Sequence, residues 1–98
     1  MKQKENKRKS EFLRMNSKEL REQAKNIRPI LRLGKNGITD NVVKEIESQL
    51  KINALIKIKL LESFRDSHNR RVVCSDIAEK TKSEIILQVG GTLVLFKR

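Results

Sequence analysis

The chain has 98 residues, 37% of them hydrophobic and 3% aromatic, and its 23 Lys and Arg outnumber its 12 Asp and Glu to give a formal charge of +11. That length fits one domain with one modest core, and no apolar run reaches the roughly 18–20 residues of a membrane span. A single Cys and a single His rule out a disulfide framework or a Cys/His metal site.

The excess of positive charge is the electrostatic footprint of a nucleic-acid binder. Residues 1–16 hold +4 of it and the rest of the chain +7, so the folded part is itself basic. Three Phe, with no Tyr or Trp, leave little with which to stack bases. Phosphates, sugars and shape are the expected handles.

In chain order, residues 1–16 read as a flexible basic arm with a helical tendency towards its end. The arm lacks the apolar segment of a secretory signal, which points to a cytoplasmic protein. Residues 17–98 read as the domain. Ser17 is placed to cap a helix whose stripe is Leu20, Ala24 and Ile27. Pro29 ends that helix, because the residue before proline avoids the helical region. Ile30–Leu33 suits a strand.

Gly34 to Gly37 form a turn, and Thr39 caps the next helix, with Val42, Val43, Ile46 and Leu50 inward. In residues 55–61 Ile56, Ile58 and Leu60 alternate with Lys57 and Lys59, the pattern of a strand buried on one face. A polar loop is expected around Phe64, with Phe64 sealing the core. Asp66 or Ser67 caps a third helix, with Val73 and Ile77 inward and Ala78 and Val72 beside them. Residues 84–89 and 92–96 are strands joined by Gly90-Gly91, a strong hairpin signal. The order α-β-α-β-α-β-β describes a small α/β domain with a mixed four-stranded sheet. Its last strand is read as exposed.

The segment Arg32-Leu-Gly-Lys-Asn-Gly-Ile-Thr-Asp between a strand and a helix carries the functional reading. Gly34 and Gly37 permit positive φ and close approach of another backbone. The following helix directs its positive end at the loop. Lys35 adds an ammonium, and Asn36 adds a donor and an acceptor. Lys25, Arg28, Arg32 and Lys35 approach Gly37 with no acid among them. A G-x-x-G loop of this kind clamps a sugar-phosphate chain in KH domains. The spacing matches neither a P-loop nor a dinucleotide fingerprint, so no cofactor is expected.

The stretches IRPILRLGKNGITDNVVKEIESQL, ALIKIKLL and VGGTLVLFKR resemble the CRM domain, a module of chloroplast splicing factors and of small ribosome-associated proteins. About 80 residues are covered. The resemblance implies a KH-like fold related to the C-terminal domain of translation initiation factor 3. It also implies RNA binding through the G-x-x-G loop, with large-subunit ribosomal RNA or its precursor as the partner of stand-alone members.

Lys57 and Lys59 are candidates for further phosphate contacts. His68 reads as a polar loop residue, and Cys74 as inert packing. No catalytic set of side chains is suggested, so neither an enzyme nor a small-molecule substrate is expected. Two other readings stay open: a protein-interaction module with a basic surface, and a non-specific nucleic-acid binder.

Overall fold

The computed structural model describes residues 7–98. Its elements are α1 (Lys7–Leu13), α2 (Ser17–Ala24), β1 (Pro29–Leu33), α3 (Asp40–Asn53), β2 (Leu55–Leu60), α4 (Glu62–Ser67), α5 (Arg70–Thr81), β3 (Glu84–Val89) and β4 (Thr92–Phe96). The strands form one mixed sheet in the order β1-β2-β4-β3. β1 and β2 are parallel, while β4 runs antiparallel to both β2 and β3.

Those directions give the sheet two distinct ends. β1, β2 and β3 finish at one end, where β4 starts; this is the upper end below. The Gly34–Gly37 turn, the start of α3, α4, the start of α5 and the Gly90-Gly91 hairpin therefore all gather there. The lower end holds the close of α3, the start of β3 and the chain's C-terminus.

The period-2 pattern sorts side chains onto two faces. Leu33, Ile56, Ile58, Leu60, Leu93 and Leu95 join Ile46 and Leu50 of α3, Phe64 of α4 and Cys74 and Ile77 of α5 in the larger core. On the opposite face Leu55, Ile86, Val94 and Phe96 pack with Phe12 of α1 and Leu20 and Ala24 of α2. Each large apolar side chain so buried contributes about 1.5–3 kcal/mol.

The second core is where the chain departs from expectation. The arm read over residues 1–16 contains a helix, α1, from residue 7, and Phe12 is only 3% exposed within it. Residues 1–6 lie outside the described residues. Burial of Phe12 holds this short, lysine-rich segment in a helix that its own propensity would not sustain. The carbonyl of Leu13 accepts from Arg98 Nη1 at 3.0 Å, tying α1 to the C-terminus. Asn16, not Ser17, caps α2. Its side chain accepts from the Glu19 amide while Glu19 reaches back to the Asn16 amide, a reciprocal capping box.

Two further differences lie at the upper end. The polar loop expected around Phe64 contains α4, six residues long and without a side-chain N-cap. Phe64, fully buried, anchors this turn of helix, which is too short to show a period in sequence. Asn69 rather than Asp66 or Ser67 caps α5, accepting from the Val72 amide at 3.2 Å. That start rotates Val72 outward, 63% exposed, and turns Cys74, Ile77 and Ala78 inward. The expected exposed last strand, β4, is an inner strand between β2 and β3. The observed order is thus α-α-β-α-β-α-α-β-β.

Candidate nucleic-acid interface

Gly34–Gly37 is a hydrogen-bonded turn, with the Gly37 amide donating to the Gly34 carbonyl at 3.0 Å. Only Gly37 has a positive φ, +67°. Gly34 does not require that freedom, and a methyl group there would meet the Ser63 Oγ at 3.5 Å, an ordinary contact. Lys35 and Asn36 stand exposed at the tip. Thr39 Oγ1 accepts from the Val42 amide at 3.2 Å, and Asp40 sits in the first turn of α3. The chain itself thus offsets part of the helix's positive end.

His68, 33 residues from Lys35 in sequence, backs the turn. Its Nε2 lies 3.0 Å from the Lys35 carbonyl oxygen. Its ring lies 5.0 Å from that of Phe64, tilted by 30°. No periodicity or motif signals this contact.

The other candidate cations divide by strand register. Arg32 pairs with Lys59, Lys59 with Thr92, and Thr92 with Val89, one row across the sheet. Arg32 and Lys59 are exposed, as is Val89, so this upper part of the face lies beyond the cover of α1 and α2. Lys57 is one row lower, beside buried Val94, and is half-buried. The structure therefore places Arg32 and Lys59 beside the turn and draws Lys57 towards the second core.

Lys25 and Arg28 are exposed, but Arg28 directly precedes β1 at the lower end, and Lys25 closes α2 beside Leu87 of β3. Five strand residues at about 3.3 Å each set Arg28 roughly 17 Å from the turn, and Lys25 lies over β3, at the opposite edge of the sheet from β1. The acid-free run from Lys25 to Gly37 is therefore not one patch. Arg28 instead borders a cleft of about 290 Å³ formed with Arg8, Phe12, Ile27, Ile30 and Leu55 among others.

Three arginines absent from the sequence-based candidates stand at the upper end. Arg70 Nη1 donates to the Gly90 carbonyl at 2.6 Å. Arg71 is exposed and shares with Asn69, Arg70, Gln88 and Gly90 a cleft of about 380 Å³. Arg65 of α4 runs beside Gly91, whose Cα faces the Leu60 carbonyl so closely that a methyl group would sit 3.0 Å from it. The Leu60 amide in turn donates to the Gly91 carbonyl at 2.7 Å. The only sequence signal for these arginines was their charge, among 23 such residues.

Cys74 lies under α5 in the larger core. Burial pushes its thiol pKa up, against a smaller opposing pull from Arg70. It stays a protonated packing group at neutral pH. Among the described residues, no three His, Cys, Asp or Glu side chains are grouped to hold a metal ion, and no helix is long and apolar enough to cross a membrane.

Residues 14–97 match the model of the CRS1/YhbY (CRM) domain. The chain is 32% identical over 78 residues to Probable RNA-binding protein YqeI of Bacillus subtilis, covering 80% of this chain and 79% of that one. It is 32% identical over 74 residues to an RNA-binding protein of Haemophilus influenzae, covering 76% and 73%. The solution structure of a hypothetical protein from Staphylococcus aureus superposes with a TM-score of 0.69 at 32% identity, covering 84% of this chain and 83% of that one. With the matched block spanning the turn, all four strands and the three arginines, this chain belongs to the CRS1/YhbY (CRM) domain family.

Proposed function

We propose that this protein is a non-catalytic RNA-binding module that grips the backbone of structured RNA at the upper end of its sheet. The exposed Lys35-Asn36 tip, flanked by Arg32 and Lys59 on one side and by Arg65, Arg70 and Arg71 on the other, carries the reading. Such an array suits phosphate oxygens, which accept from ammonium, guanidinium and backbone N–H donors alike. Relatives named as RNA-binding proteins support the class of partner. The fold is read as KH-like, akin to the C-terminal domain of initiation factor 3, with Gly34–Gly37 as its G-x-x-G loop. Large-subunit ribosomal RNA or its precursor, met in the cytoplasm during ribosome assembly, is the proposed partner.

Crosslinking in cell extract followed by sequencing of the attached RNA tests this. Recovery of large-subunit ribosomal RNA supports the reading, scattered messenger RNA makes the protein a general RNA binder, and no RNA favours an acidic protein partner. In purified form, affinity for a structured RNA should fall steeply with salt as counterions are released. Lys35→Ala should weaken binding and flatten that dependence.

A further inference from the structure

The contact between His68 and the Lys35 carbonyl selects one orientation of the peptide group at the tip of the turn. A carbonyl oxygen only accepts, so at 3.0 Å the ring must carry its hydrogen on Nε2. The ring is held from behind by Phe64, which is fully buried. It is held from within its own chain by the His68 amide, which donates to the Phe64 carbonyl at 3.0 Å. Gly37 lies against its front, where a methyl group would come within 2.8 Å of both Cε1 and Nε2. The imidazole is a fixed donor, tied to the core, with the turn resting on it.

The Lys35 carbonyl belongs to the central peptide of the turn, between Lys35 and Asn36. This is the group whose reversal interconverts the two common turn types. Among the described residues all peptide bonds are trans, so the Asn36 N–H points away from the Lys35 C=O. With the oxygen turned in towards His68, that N–H is turned out, on the same exposed tip as the Lys35 ammonium.

We propose that His68 is a positioning residue that locks the central peptide of the loop, so that the Asn36 backbone N–H is presented as a donor to an RNA phosphate oxygen beside Lys35. This rests on the reading of Gly34–Gly37 as the RNA-binding loop and adds the donor and the device that aims it. A backbone N–H fixed before binding needs no reorganisation when the phosphate arrives, whereas a freely rotating peptide loses that advantage.

The test compares His68→Leu, His68→Gln and Lys35→Ala with the parent protein, using one structured RNA hairpin at fixed salt. In Gln the terminal amide nitrogen occupies nearly the place of Nε2 and still donates; Leu fills space without a donor. His68→Leu should bind about tenfold more weakly, the size of effect expected from one charge-assisted hydrogen bond. His68→Gln should stay within about threefold of the parent. In amide NMR titrations the Asn36 N–H should move strongly on RNA binding in the parent and in His68→Gln, and much less in His68→Leu. Long-range nitrogen spectra of the parent should show the Nε2–H form. If Lys35→Ala weakens binding but His68→Leu does not, the proposal is overturned and the loop reading stands. If neither weakens binding, the loop reading itself fails. Equal losses in the Gln and Leu variants, an Nδ1–H ring, or an Asn36 amide unmoved by RNA would also overturn it. Melting temperatures of all variants, with the Asn36 signal of His68→Gln, separate these outcomes from loss of the fold.

Discussion

The cations at the two ends of the sheet keep different company. At the lower end Arg8 lies over the Phe12 ring at 5.5 Å and Arg98 over the Phe96 ring at 4.8 Å. Lys9 Nζ donates to the Lys51 carbonyl at 2.6 Å and Arg98 to Leu13. These residues fasten α1 across the end of α3 and the C-terminus. At the upper end the polar groups meet the backbone of tight turns: Arg70 at Gly90, His68 at Lys35, and Arg65 beside Gly91. There Arg32, Lys35, Lys59, Arg65 and Arg71 remain exposed. Equal formal charge therefore has unequal meaning. One end uses several of its cations to close the fold, and the other displays most of its own.

The largest test of that contrast is Phe12→Ala. It removes the side chain on which Arg8 rests and opens the second core, so it should cost about 3–5 kcal/mol in thermal or urea unfolding. The fraction that remains folded should bind RNA as the parent does. A parallel loss of affinity per folded molecule would mean that the two ends are not independent.

Next in size is the pair Gly37→Ala and Gly34→Ala. Gly37→Ala meets a positive φ, worth about 1–2 kcal/mol, as well as the His68 ring. It should lower the melting temperature by roughly 4–16 °C, given about 4–8 °C per kcal/mol for a small domain. Gly34→Ala should stay within about 2 °C on the same scale, and any larger loss of RNA affinity there would mark the Cα of Gly34 as a point of close approach.

Smaller again is a charge-matched comparison. Arg65→Ala/Arg71→Ala and Lys25→Ala/Arg28→Ala each remove two positive charges. The upper pair should weaken RNA binding about tenfold and reduce the salt slope by about 1.5, whereas the other pair should change the slope by less than about 0.5. Equal effects would show that net charge, not its placement, governs binding.

The smallest effect concerns Cys74. Because burial raises its pKa in the folded state, the unfolded chain loses its thiol proton first. Stability from this group is therefore complete below the unfolded pKa, near 8.5, and declines as pH rises above it. Unfolding measured from pH 7 to 10 should fall less steeply in Cys74→Ala than in the parent.

Much of the frame was legible because it is written in local signals. The alternation in β2, the Gly-Gly hairpin and the Thr39 cap each depend on neighbours in sequence, and all were found where expected. The turn and its two exposed tip residues were legible for the same reason. What escaped depends on distant parts of the chain. α1 is held by a core that it helps to build, and α4 by a single buried ring. His68 meets Lys35 only because β2 and α4 return the chain to the upper end. Lys25 and Arg28 looked like part of the loop because sequence distance does not show that a strand carries the chain straight away from them.

Phe12 lies two residues before the stretch shared with the family, which begins at residue 14. The boundary of kinship is thus not the boundary of the folding unit. A fragment trimmed to the shared block would keep every strand and every residue of the upper end. It would also remove Phe12 from the second core and, with Leu20 and Ala24 of α2 left to cover the rest, open the part of its apolar floor next to Leu55. Such a patch invites self-association, so a trimmed protein that precipitates would be reporting on its missing lid rather than on its ability to hold RNA.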